Sequence, residues 1–123
     1  MKLRIKGNSI RLRLLRSEVE EFAEGGSISD ETRFGANALR YTLAMSKDAE
    51  SIVGKFDSNE ITVFIPEKTA RDWTTNDSVG FEIEQPTGPN ESLTIIVEKD
   101  FVCIDRPNDP DREDAYPNPN VTC

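Results

Sequence analysis

Two stretches of this chain carry the same order of signals. Residues 3–22, LRIKGNSIRLRLLRSEVEEF, alternate hydrophobic and basic side chains, turn at Gly7-Asn8, alternate again, and then change to helical spacing. Residues 54–73, GKFDSNEITVFIPEKTARDW, repeat that plan 51 positions later. Alternation with a period of two marks a half-buried strand, because successive side chains leave a strand on opposite faces. A two-residue turn with Gly or Asn closes a tight hairpin, since both tolerate the positive φ that such turns need. A chain built this way is a duplicated arrangement of hairpins and short helices.

The turn at Gly7-Asn8 also fixes the register of the first hairpin. Ile5 faces Ile10 and Leu3 faces Leu12. By the same register Arg4 faces Arg11 and Lys2 faces Arg13. Like charges directly opposite one another destabilise a sheet, by some tenths of a kcal/mol per pair. This basic face, with Lys2, Arg4, Lys6, Arg11 and Arg13, is therefore the candidate anion-binding site.

The pattern continues along the chain. Ser17 with Glu20 matches a capping box, Val19, Phe22 and Ala23 form a buried stripe, and Gly25-Gly26 stops the helix. A strand is expected over 27–34. Leu39, Tyr41, Leu43 and Met45 alternate with polar or small residues as a further strand, with helix as the alternative for that segment. Under the offset of 51, Val19 and Phe22 map to Ala70 and Trp73, and Ile28 maps to Val79. Phe81 and Ile83 alternate with Glu82 and Glu84, residues 86–90 read as a turn or loop, and Leu93, Ile95 and Val97 mark the last strand. The count is eight strands and two helices in the order ββαββ, twice. The expected fold is α+β: an antiparallel eight-stranded curved sheet or barrel with two short helices. It forms one domain over residues 1–100, with pseudo-repeats 2–48 and 52–100.

Residues 101–123 differ in composition and read as an acidic, proline-rich tail, expected to dock on the domain through Phe101, Ile104 and Tyr116. Asp105, Asn108, Asp109, Asp111, Glu113 and Asp114 are closely spaced oxygen donors, but the glycine of an EF-hand loop is missing: the sixth place counted from Asp109 is Asp114.

Charge and composition exclude several classes. The net charge of −8 argues against general nucleic-acid or anionic-membrane binding. It hides an asymmetry: residues 1–16 hold six basic residues and no acid. Histidine is absent, which removes Ser-His-Asp and Cys-His catalysis and ordinary zinc-finger ligation. Two cysteines, Cys103 and Cys123, suggest a reducing compartment, and the chain shows no apolar run of membrane-spanning length and no signal-peptide core. A cytoplasmic location is the expectation. Cys103 reads as a buried thiol, and Trp73 and Phe22 as core.

The duplicated ββαββ order resembles a circular shift of the β-α-β-β-β duplication of the CYTH, or triphosphate-tunnel, superfamily. That family's signature is an opening strand E-x-E-x-K. Here the first strand is Lys2-Leu3-Arg4-Ile5-Lys6, and the E-x-E of this chain is Glu82-Ile83-Glu84. The resemblance implies a phosphate-handling enzyme, with Arg4, Arg11 and Arg13 on phosphate and Glu82 and Glu84 on magnesium. The opening MKLRIKGNSIRLRL and the later VEKDFVCID also resemble a family of small bacterial proteins with no assigned activity, which implies no site. From the residues themselves the reading is a non-enzymatic binding or interaction protein without a cofactor, whose basic hairpin face meets an anionic small molecule or an acidic protein segment. A structural module with that face covered by its own acidic tail is the third reading. Ligand and oligomeric state are not specified by the sequence.

Overall fold

The computed structural model of the protein describes residues 1–101. The elements follow in the order β1 (Lys2–Lys6), β2 (Ser9–Leu14), α1 (Arg16–Gly25), β3 (Ser27–Phe34), β4 (Asn37–Ser46), β5 (Val53–Asp57), β6 (Glu60–Pro66), α2 (Glu67–Thr75), β7 (Gly80–Gly88) and β8 (Glu91–Lys99). The eight strands, two helices and ββαββ duplication are those expected from the sequence. The expected hairpin register is also present, with Lys2 opposite Arg13, Leu3 opposite Leu12, Arg4 opposite Arg11 and Ile5 opposite Ile10.

The sheet architecture differs from expectation. There are two four-stranded mixed sheets, ordered β1-β2-β8-β7 and β3-β4-β6-β5, and no closed barrel. In each sheet two antiparallel hairpins meet through a parallel central pair, β2 with β8 and β4 with β6. Each repeat therefore places its first hairpin in one sheet and its second in the other. Exchanging the repeats turns β1-β2-β8-β7 into β5-β6-β4-β3, which is the other sheet read from its far edge. The duplication is thus an interlocked pseudo-two-fold in which each sheet is completed by the other half. Alternation in sequence tells which face a residue occupies. It does not tell which strand lies beside it, and that is why a single antiparallel sheet was expected.

The core sits between the inner faces of the sheets and the two helices. Leu12, Leu14, Leu43, Val63, Ile65 and Val97 are fully buried with Phe22 and Ala70, and Trp73 and Ile95 nearly so. Phe22 of α1 and Trp73 of α2 meet edge to face at 6.3 Å between centroids, and Phe81 packs tilted against Trp73 at 5.7 Å. Such pairs add stability beyond their buried area.

The first helix is capped two residues earlier than the Ser17–Glu20 box implies. Leu15 is the N-cap of α1, and Glu18, not Glu20, accepts the Leu15 amide at 2.8 Å. Ser17 lies within the first turn, because the strand ends at Leu14 and leaves a single residue for the cap. Gly26 closes the helix as expected, at φ 80° with its N–H on the Phe22 carbonyl.

The offset between repeats also changes along the chain. It is 51 through the first hairpin and helix. The single Gly26 after α1 is replaced by residues 76–79 after α2, and β7 carries a bulge between Pro86 and Gly88. Tyr41 and Ile95, both opposite the middle isoleucine of their neighbouring strand, are consequently 54 apart. Ile28, which pairs with Leu43, corresponds to Phe81, which pairs with Val97. The expected partner Val79 is instead exposed, and its carbonyl accepts the Trp73 indole N–H at 3.2 Å.

Two substitutions test this packing. A Cβ on Gly80 would lie 1.9 Å from the Val97 carbonyl oxygen, whereas one on Gly88 meets only Glu91 atoms at 3.7 Å and beyond. Gly80→Ala is expected to cost several times more stability in urea titrations than Gly88→Ala. Phe22→Ala, which empties the helix–helix contact, is expected to cost about 3–5 kcal/mol, measured the same way.

Candidate functional site: the outer face of the first sheet

The inward residues of the first sheet are hydrophobic and belong to the core, so their neighbours in sequence point outward. Lys2, Arg4 and Lys6 of β1, Arg11 and Arg13 of β2, Thr94, Ile96 and Glu98 of β8, and Glu82 and Glu84 of β7 share this outer face. Read across the sheet, one row is Lys2, Arg13, Glu98 and Gly80. The next is Arg4, Arg11, Ile96 and Glu82. The third is Lys6, Ser9, Thr94 and Glu84. The face is basic at the β1 edge and acidic at the β7 edge, four strands wide.

Glu98 sits where the charges meet. Its carboxylate accepts from the Arg13 Nε at 2.7 Å, and the Arg11 Nε lies 3.8 Å from the same oxygen. The three side chains are half-buried, so they retain a stronger mutual attraction than freely exposed ions would. Lys2 reaches the other way, to Asp100 at 2.9 Å, where the chain leaves β8. Arg4 and Lys6 are exposed on this face.

All five expected basic residues are therefore brought onto one surface, and the parallel β2–β8 pairing adds Glu98 beside them. This surface is the outside of an open sheet and not the lining of a tunnel, because the opposite faces of the same strands form the core. The CYTH resemblance finds no support here: the described strands form two open four-stranded sheets and no closed barrel whose interior the charged side chains would line. Glu82 and Glu84 project from an edge strand, two strands away from Arg11 and Arg13. Among the described residues no group of three acidic or cysteine side chains is gathered as for a metal ion.

The sequence reading missed a second feature. Gln85 of β7 reaches across the gap between the sheets. Its side-chain oxygen accepts the Gly54 N–H at 2.7 Å and its amide donates to the Gly54 carbonyl at 3.1 Å. A glutamine side chain thus takes the place of a neighbouring strand on the edge of β5, and it joins the two sheets. Gly54 allows this approach, since a Cβ there would stand 2.9 Å from the Ile95 Cδ1. The one available signal was a glycine inside a strand pattern, which marks close approach of another element.

The features that the sequence assigns to the tail, namely the oxygen-rich stretch 105–114, the anchors Ile104 and Tyr116, and Cys103 and Cys123, lie outside the described residues. Phe101, the remaining anchor, is exposed at 54%. It borders a cavity of about 690 Å³ with Leu14, Val19, Thr75 and Lys99.

Fold and surface together define a small α+β domain of two interlocked mixed sheets with a polarised outer face, and among the described residues no helix is long and apolar enough to cross a membrane. The chain belongs to DUF7009, a family of unknown function, whose model matches residues 1–120. That agrees with the resemblance to a small family without assigned activity. Searches of curated proteins and of solved structures found no match.

Because Glu98 is the acid placed between Arg11 and Arg13, its neutralisation leaves two arginines side by side. Glu98→Gln is expected to lower stability by about 1 kcal/mol at low ionic strength. The loss shrinks in about 1 M salt, where charges are screened beyond roughly 3 Å, and paired chemical denaturation curves measure it.

Proposed function

We propose that this protein is a non-enzymatic binding module whose basic β1–β2 face takes an anionic small molecule or an acidic protein segment. One observation carries the reading: the register stacks Lys2 against Arg13 and Arg4 against Arg11 on a single outward face. Such an arrangement costs stability in the isolated sheet and is relieved by a bound anion. Arginine forks suit carboxylate and phosphate alike. The flat, open form of the face favours an extended partner over a small molecule enclosed on all sides, and the binding takes no cofactor.

A second reading has its own observation. Asp100 leaves β8 at the margin of the basic face and already holds Lys2. Residues 105–114, with Asp105, Asp109, Asp111, Glu113 and Asp114, follow within a few positions. A tethered acidic segment competes at millimolar effective concentration, so the tail is the first anion the face would meet.

Melting temperature measured with tripolyphosphate and with a short polyglutamate peptide tests the first reading. A saturating ligand at about a hundredfold over its Kd adds about 2.7 kcal/mol to the folded state. A rise that is lost in Arg4→Ala and Arg11→Ala supports the proposed face. No rise in either the full chain or a chain ending at residue 104 overturns it. A rise seen only in the shortened chain shows that the tail occupies the face.

A further inference from the structure

The end of the molecule opposite the helices carries an apolar groove lined by described residues, and its charge and shape point to a partner. All four hairpin turns lie at this end. Residues 31–39 of the β3–β4 hairpin extend past the β5–β6 turn, since the last ladder pairing to β6 is Arg40 with Glu60. The β7–β8 hairpin likewise extends past the β1–β2 turn, where Thr94 is the last residue paired to β2. Two long hairpins and two short ones therefore surround the groove. It holds about 530 Å³ between Ile5, Ile10, Leu39, Phe56, Ile61 and Leu93. These are three pairs of equivalent positions in the two repeats, and Gly54, Lys55, Gln85 and Thr87 extend the lining on the β5 and β7 side. Ile5, Phe34 and Phe56 are 56%, 67% and 69% exposed, and all three belong to this end.

The charges around the groove fall on two sides. Gln85 binds Gly54, so the β7 and β5 edges are neighbours. The Met1 amino group lies 3.4 Å from Asp30, so the β1 and β3 edges are neighbours. The β1–β2 and β3–β4 tips thus share one side, with Lys6, Arg33 and Arg40 against Glu31. The β5–β6 and β7–β8 tips share the other, with Asp57, Glu60, Glu84 and Glu91 against Lys55. Within each sheet one hairpin is long and one short, and one tip is basic and the other acidic.

We propose that a second copy of this chain covers the groove, tip to tip, in a two-fold dimer. An isologous contact must be self-complementary, and this end is. Turning a second copy over about an axis that runs from one sheet to the other sets each long hairpin on a short one. The same rotation sets the basic side on the acidic side. The β3–β4 tip with Arg33 then meets the β5–β6 tip of the second copy with Asp57. The β1–β2 tip meets the β7–β8 tip. The perpendicular choice of axis also matches long with short, but it brings basic side to basic side. Ile5, Phe34 and Phe56 of both copies are covered in the contact, which removes three exposed hydrophobics per chain from water.

Sedimentation equilibrium of the full chain across about 1–100 μM tests the proposal. The expected result is a species of twice the chain mass. Phe56→Glu, a change at an exposed position, is expected to raise the dimer dissociation constant at least about a hundredfold without lowering the melting temperature of the monomer. Arg33→Glu alone and Asp57→Arg alone are each expected to weaken the dimer about fivefold, and the double reversal to restore it. That rescue reports the orientation, because a merely local role for either residue would make the losses add. A chain that stays monomeric at about 100 μM overturns the proposal. So does a dimer indifferent to Phe56→Glu. A monomer that binds an apolar dye, with the signal lost in Phe56→Glu, assigns the groove to a different partner or an apolar ligand and likewise overturns it.

Discussion

The rest of this structure depends on two parallel strand pairings, β2 with β8 and β4 with β6. A β-hairpin alone is marginal in water, and three or more strands with a covered face are needed for independent stability. Each repeat supplies two hairpins, but it sends them to different sheets. A single repeat would therefore leave both hairpins two-stranded and uncovered. Only when the second repeat lays β8 beside β2 and β6 beside β4 does either sheet reach four strands. The helices follow from the same constraint. Each one links a hairpin in one sheet to a hairpin in the other, and the two meet over the end of the core through Phe22 and Trp73.

The interlocking also explains why the two ends of the molecule differ. Both crossings are made at the helix end, so the core there is closed by Phe22, Ala70 and Trp73. At the turn end no element crosses among the described residues. The sheets are held near each other by the Gln85–Gly54 contact on one side, and Ile5 and Phe56 stand at equivalent places without cover. The proposed dimer closes the second end with a second copy in place of a helix.

The polarised outer face is a separate consequence of the parallel pairing. β2 carries Arg11 and Arg13, and the strand laid beside it carries Glu98. One carboxylate serves two guanidinium groups. The basic residues of this face stand on β1 and β2, while Glu82 and Glu84 stand on β7, at the other edge of the sheet. An edge strand also leaves backbone N–H and C=O groups on one side outside the ladder, which an extended partner is able to meet.

Much of the fold was legible along the chain. The two-residue turn at Gly7-Asn8 fixed the register of the first hairpin, because side chains alternate with a strict period of two. The duplication was legible because Val19 and Phe22 recur as Ala70 and Trp73 at one offset. The correspondence of Ile28 with Phe81 was hidden by the longer loop after α2 and the bulge in β7, which shift the offset without disturbing alternation. The five basic residues of the candidate face were likewise legible, since like-charged neighbours follow from register alone. The chain alone settles which residues share a face of each strand and which pair within the first hairpin. These depend on contacts between residues close in the chain. Only the tertiary structure decided that the sheets are two and mixed, that the charged face is outside, and that Glu98 joins Arg13. Those facts depend on which distant strands lie side by side, and alternation is the same whichever neighbour a strand takes.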